Sequence, residues 1–248
     1  MLPIAQQLEL NDLYVQRKWR ELARRPAIAD RPDWIFQLTH NEEWQVRAGL
    51  AGNSNIAKFP EIVVKLADDP DPNVRAYLVH NPVLAKFPEI VAKLAGDKVK
   101  SISAYLARTP VIANSPEIVV TLAHDKTWIV RAGLAENPAI GSFPDVVVML
   151  ARDKAHNVRR DLAGNPAIAG IPKVIDKLAN DKDWLVRMHL AANPALASFP
   201  EIAARLTNDP VEEIRETLAE NSAIASLKQT FNTELAAIQS TSTPFVLP

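Results

Sequence analysis

Cysteine is absent from this chain of 248 residues. That excludes a disulfide, a thiolate metal site, a cysteine-held iron–sulfur cluster and a thiol nucleophile. Glycine is scarce, with 7 copies. No glycine-rich phosphate loop, GxSxG elbow or HExxH pair is present. No apolar run approaches the length of a bilayer span. The N-terminal MLPIAQQLELNDL lacks the basic and apolar regions of a secretory signal. Together these absences lead us to expect a cytoplasmic protein. Nor does one sign of charge dominate: Lys+Arg 28 against Asp+Glu 29 leave a net charge of -1. Phosphate-backbone binding depends on clustered Lys and Arg, so this balance argues against a dedicated nucleic-acid binder. The one local basic stretch, Arg17, Lys18, Arg20, Arg24, Arg25 and Arg31, is expected to be the solvated face of a terminal helix.

What the chain does have is a repeat. VRAGLA starts at Val46 and again at Val130, 84 residues on, three times a period of 28. In that register an arginine recurs at Arg47, Arg75, Arg131, Arg159, Arg187 and Arg215, with Ser103 the exception. An asparagine follows at Asn53, Asn81, Asn137, Asn165, Asn193 and Asn221, with Thr109 the exception. Proline columns begin at Pro60 and Pro82, and leucine columns run unbroken from Leu38 and from Leu50. Leu22, Ala23, Pro26, Ile28 and Pro32 form a degenerate first copy, as expected of a capping repeat.

Each unit reads as two short helices. In DKDWLVRMHLAANPALASFPEIAARLT, Asp181 is an N-cap candidate, and Pro70 and Pro210 in other units follow that column as first-turn prolines. Asn193-Pro194 ends the first helix, because the residue before proline is pushed out of the α region. Ala195–Phe199 is a tight connection with room for a turn of 3-10 helix, and Pro200 opens the second helix. Glu61/Lys65, Glu89/Lys93 and Glu201/Arg205 are spaced as i,i+4 pairs. A unit this short buries its apolar faces only by stacking on its neighbours. The expected fold is an all-α, right-handed helical-repeat solenoid of 28-residue two-helix units, with room for part of the second helix to be 3-10. Its parts are capping helices and a degenerate first repeat over 1–40, the array over 41–228, and a closing helix and loose tail over 229–248.

The recurring pattern D-x(4)-VR-x(2)-LA-x-NP-x-[IL]-A-x-[FI]-P-[ED]-[IV]-V-x-K-LA resembles the leucine-rich repeat variant family, a relative in style of HEAT repeats. The likeness spans about residues 20 to 228. It implies a superhelical stack with one α-helix and one 3-10 helix per repeat. The repeat here is longer than the family norm, and PEIVVKLA is long enough for a true α-helix. The iron–sulfur cofactor of the founding member cannot be carried over to a chain without cysteine, and no other cofactor is implied.

The arginine falls inside the buried stripe of its helix, where an unpaired charge is costly. A ligand grip would need a few special copies; a ladder needs one per layer. The expected partner is the aspartate six residues earlier, from the same or an adjacent repeat: Asp69, Asp97, Asp125, Asp153, Asp181 or Asp209. The asparagines are expected to bridge turn backbone. Positions two and five after the arginine are expected to face outward. They bring Tyr77, His80, Tyr105 and Arg108 into one candidate partner-binding patch, next to the divergent unit that lacks the arginine. Trp44, Trp128 and Trp184 are expected to pack over small residues. Asp161 and His189 are expected as a surface ion pair. The second helices would present the acidic column Glu61, Glu89, Glu117, Asp145 and Glu201 beside Lys65, Lys93, Lys177 and Arg205.

The five histidines do not fall at metal-ligand spacing, and no catalytic or metal site is expected. The leading functional reading is a non-enzymatic scaffold that binds a protein or peptide. Two others are a nucleic-acid protein, by analogy with HEAT-like DNA glycosylases, and a passive accessory domain.

Overall fold

A computed structural model describes residues 3–226 of the chain; the closing helix and tail expected over 229–248 lie outside them. The described residues form an all-α helical-repeat solenoid in two compact units, divided between Asn137 and Pro138. Unit 1 holds α1 (Ile4–Val15), α2 (Trp19–Arg24), α3 (Pro32–Thr39), α4 (Trp44–Ala51), α5 (Pro60–Ala67), α6 (Pro72–Val79), α7 (Pro88–Ala95), α8 (Lys100–Arg108), α9 (Pro116–Ala123) and α10 (Trp128–Ala135). Unit 2 holds α11 (Pro144–Leu150), α12 (His156–Ala163), α13 (Pro172–Ala179), α14 (Trp184–Ala192), α15 (Pro200–Leu206) and α16 (Glu212–Glu220).

Each repeat has three helical segments, not two. Between its α-helices lies a 3-10 helix, for example Pro82–Lys86 and Pro194–Ser198. The second helix of each repeat is α, so the 3-10 turn belongs to the connection. Proline sets both boundaries. Asn81 is extended, with ψ 122°, before Pro82 at the first position of the 3-10 helix. Phe87 leaves the helical region, with φ -131°, before Pro88 opens α7. All three segments feed one core: Leu78, Leu84 and Leu94 are fully buried in one layer, and Leu162, Ile168 and Leu178 in another. Burying each such side chain is worth about 1.5–3 kcal/mol.

The aspartate column does not cap the first helices. Those helices start three residues later, with N-caps such as Asp71 and Asp183. Asp69 and Asp181 instead accept the amides of Asp71 and Asp183 at 2.9 and 3.0 Å, in turns that hold the intervening residues out of the helix. Pro70 and Pro210 fall in those turns rather than in a first helical turn; Pro72 takes that place in α6. At the N-terminus, Trp34 stacks on Tyr14 at 4.3 Å and has the Arg31 guanidinium 3.5 Å from its ring centre.

Within each unit, first helices pack against first helices: α4 on α6, α8 on α10, and α12 on α14. The approach of α8 to α10 is close enough to require glycine. A Cβ at Gly133 would collide with the Ala104 carbonyl oxygen. At Gly170, by contrast, nothing lies within 4 Å of an added Cβ. Gly133→Ala is therefore expected to cost about 1–3 kcal/mol by overpacking. Gly170→Ala should be neutral or stabilising by about 0.5 kcal/mol. Thermal melts of the two variants compare these outcomes directly.

Candidate functional site

The arginine column joins repeats. Arg75 Nε and Nη2 donate to the two carboxylate oxygens of Asp97, in the next repeat, at 2.6 and 3.0 Å. Its Nη1 donates to the Asp69 carbonyl at 2.6 Å, in its own repeat. The same fork recurs as Arg47 on Asp69, Arg159 on Asp181 and Arg187 on Asp209. So the aspartate six residues back contributes its backbone carbonyl, and the carboxylate comes from the following repeat. Arg131 and Arg215 make the same own-repeat bond, to the carbonyls of Asp125 and Asp209 at 2.6 Å each. Asp153 Oδ1 accepts the Ala155 amide at 2.8 Å.

Where Ser103 replaces arginine, Lys100 stands in, one helical turn earlier. Its Nζ lies 3.0 Å from Asp125. The sequence carried a clue to this substitute, since Asp125 persists opposite the missing arginine and needs a cation.

The asparagine column points to the preceding repeat. Asn81 and Asn193 donate at 2.7 Å to the carbonyls of Ala51 and Ala163, at the C-terminal ends of α4 and α12. Those carbonyls have no partner inside their own helix. Asn53, Asn137 and Asn221 do the same for Ala23, Ala107 and Ala191. The Asn81 side-chain oxygen accepts the Val83 amide, and that of Asn165 accepts the Ala167 amide, each at 3.0 Å, starting the 3-10 helix. Thr109 cannot reach back in this way; its hydroxyl donates to the Leu106 carbonyl at 2.8 Å.

Hydrogen bonding to the aspartate partner raises the pKa of Arg75, Arg159 and Arg187, against a smaller opposing effect of burial. Burial by itself would raise the carboxyls of Asp97 and Asp181. The arginine fork and the amide two residues on outweigh it and hold both below the ordinary aspartate value.

The candidate patch lies in unit 1. Tyr77 and Tyr105 are 47% and 37% exposed, and the rings of His80 and Tyr105 lie 5.7 Å apart. Arg108 is half-buried and forms an ion pair with Glu136, one repeat on, at 2.5 Å. Beside it opens a groove of about 620 Å³ lined by His80, Pro82, Arg108, Pro110, Val111 and Asn114, among others.

Several other expectations need correction. The position two after the arginine does not always face outward: Gly49 and Gly133 are buried, because neighbouring first helices meet there. Asp161 and His189 share that crease and are half-buried. Asp161 has an ion pair with Arg160 at 2.6 Å. Burial lowers the His189 pKa, aided by Arg160 and opposed by Asp161. Trp128 and Trp184 are exposed rather than packed, while Trp44, likewise the first residue of its helix, is half-buried. Lys93 and Arg205 pair across repeats, with Asp68 at 2.5 Å and Asp176 at 2.8 Å, rather than with Glu89 and Glu201 on their own helices.

In the basic stretch, Arg20 pairs with Glu43, Arg25 with Glu9 and Glu21, and Arg31 with Asp33. His40 and His124 donate Nδ1–H to the carbonyls of Phe36 and Val120 at 2.9 Å. Among the described residues no group of three or more His, Cys, Asp or Glu could hold a metal. No helix among them is long and apolar enough to cross a membrane.

A lowered aspartate pKa contributes stability that is full above the unfolded-state value and is lost as pH falls through the folded-state value. Asp181→Asn breaks a buried, bidentate pair and is expected to cost about 3 kcal/mol at neutral pH. Its deficit against the parent should shrink as pH falls below the ordinary value of 3.8, where the parent carboxylate also becomes protonated. Thermal melts of both proteins across this range check the sign.

No protein-family model matches the chain, and no curated protein matches it. Among solved structures, the chain is similar to one described as a leucine-rich repeat variant with a novel repetitive protein structural motif. The identity is 19%, over 83% of this chain and 85% of that one, with a TM-score of 0.43. It is also similar to an engineered protein, at 12% identity over 85% of this chain and 90% of that one, with a TM-score of 0.28. The first is of the repeat type that the sequence motif resembles. The helical-repeat fold itself rests on this chain's own geometry: helix, 3-10 turn and helix repeating within each unit.

Proposed function

We propose that this chain is a non-enzymatic scaffold that binds a protein or peptide through the patch formed by Tyr77, His80, Tyr105 and Arg108. The supporting observation is two exposed tyrosines on neighbouring first helices, with the Tyr105 ring 5.7 Å from that of His80, which lines the groove between the Pro82 and Pro110 turns. Elsewhere the repeat commits its conspicuous polar residues to itself. The arginines, asparagines and most of the aspartates in their columns bond neighbouring repeats or local backbone, which leaves them poor candidates for chemistry on a substrate. The tyrosines have no such role. They offer rigid, amphipathic area at low entropic cost, and Tyr and Arg are favoured at interaction hot spots. Pairing of Arg20, Arg25 and Arg31 with carboxylates weakens the nucleic-acid reading. The absence of cysteine supports a cytoplasmic setting.

The test is affinity capture from nuclease-treated host lysate, with the Tyr77→Ala/Tyr105→Ala variant in parallel. Both side chains are exposed, so the variant should melt with the parent. A protein held by the parent should be lost with the variant. Retention that depends on nucleic acid and falls steeply with salt would move the reading to the nucleic-acid class.

A further inference from the structure

A second surface of unit 1 stands apart from the tyrosine patch. The second helices α3, α5, α7 and α9 pack side by side in sequence. Their fifth residues are Phe36, Val64, Ala92 and Val120, all exposed. Phe36 is 61% exposed, and Val64 and Val120 are 46% exposed each. One register position thus presents an apolar side chain to solvent in four successive layers. Single exposed apolar residues need no explanation, but a continuous row does.

The second residue of each of these helices is a carboxylate: Asp33, Glu61, Glu89 and Glu117. All four are exposed. Asp33 lies 3.4 Å from Arg31, while Glu61, Glu89 and Glu117 have no ion pair among the described residues. Lys93, the cation closest in sequence to Glu89 on α7, is turned to Asp68 instead. Three carboxylates beside the apolar row, Glu61, Glu89 and Glu117, thus stand without an ion pair, and one exposed cation, Lys65, shares α5 with Glu61. The repeat does not demand this arrangement, since α13 carries Lys173 and Asp176 at the corresponding places.

We infer that the α3–α5–α7–α9 face docks a basic amphipathic helix, its apolar side on the Phe36–Val64–Ala92–Val120 row and its Lys or Arg side chains on Glu61, Glu89 and Glu117. The spacing selects a helix over an extended peptide. Packed helices lie about 9 Å apart. Six to seven residues of a helical partner rise about 9–10.5 Å, which keeps one apolar side chain per layer. Same-face residues of a strand recur every ~6.7 Å and fall out of step with the layers. Three intervals span about 27 Å, the length of an 18-residue helix. This surface extends the interaction reading to a different face, and its test is independent of the tyrosine patch.

The probe is a fluorescein-labelled 18-residue helical peptide with leucine at heptad spacing and lysine flanking it. The same peptide with glutamate for lysine is its control. Anisotropy is measured with the full chain. The lysine peptide should bind and the glutamate peptide should not. Glu61→Lys/Glu89→Lys/Glu117→Lys should weaken the lysine peptide about tenfold or more, since three attractive exposed pairs become repulsive. Val64→Asp/Val120→Asp should also weaken it, although it adds negative charge. All five side chains are exposed, and thermal melts confirm that both variants fold. Failure of the lysine peptide to bind would overturn the proposal, as would indifference to charge reversal. Tighter binding by Val64→Asp/Val120→Asp would reduce the attraction to bulk charge and overturn it as well. Loss of binding in Tyr77→Ala/Tyr105→Ala would move the peptide to the other face with the same consequence.

Discussion

Within each unit, the stack depends on a guanidinium shared between two repeats. Arg75 holds the Asp97 carboxylate of the next repeat and the Asp69 carbonyl of its own, so one side chain fixes the distance and rotation between layers. Arg159 does the same for Asp181 and Asp153. The pairs are largely buried, where the desolvation cost of an ion is high and must be offset by complete hydrogen bonding. The bidentate fork meets that condition, and the amide two residues beyond each aspartate takes up a further lone pair. The asparagines work in the opposite direction along the chain, satisfying the last carbonyls of the preceding first helix. Within a unit, a repeat that keeps both residues is thus bonded forward by arginine and backward by asparagine, around a core that supplies most of the stabilisation.

The layer that breaks the pattern shows how tolerant the scheme is. Ser103 gives up the arginine, and Thr109 gives up the backward bond. Two things compensate. Lys100 supplies a cation to Asp125, and Gly133 lets α10 approach the Ala104 backbone closely. Lost polar pairing is exchanged for closer helix packing. This is also where Tyr105 and Arg108 lie, so the layer freest of the ladder contributes half of the candidate patch.

Much of this was legible in the sequence, because a strict period exposes roles by comparison within a single chain. The arginine column announced a ladder by occurring in almost every unit. The leucine columns announced a core, and the prolines marked where helical segments begin. The candidate patch was legible in part: Tyr77 and Tyr105 emerge at the surface, but Arg108 turns to Glu136. The outward positions were harder to read. A helical wheel assigns one angle to Gly49, Tyr77 and Asp161 alike, yet the crease between first helices buries the first, exposes the second and half-buries the third.

By itself the sequence determined the period, the repeat class, the composition of the core and the need for a partner at each buried arginine. These follow from local rules: proline restricts the backbone, apolar residues at helical spacing form one face, and a buried charge must be paired. Only the tertiary structure decided which aspartate serves which arginine, because same-repeat and next-repeat partners occupy one column and sequence distance cannot separate them. It also decided that the aspartates shape turns instead of capping helices. It brought Phe36, Val64, Ala92 and Val120 into one exposed row, since whether four residues 28 apart form a surface depends on how their helices pack.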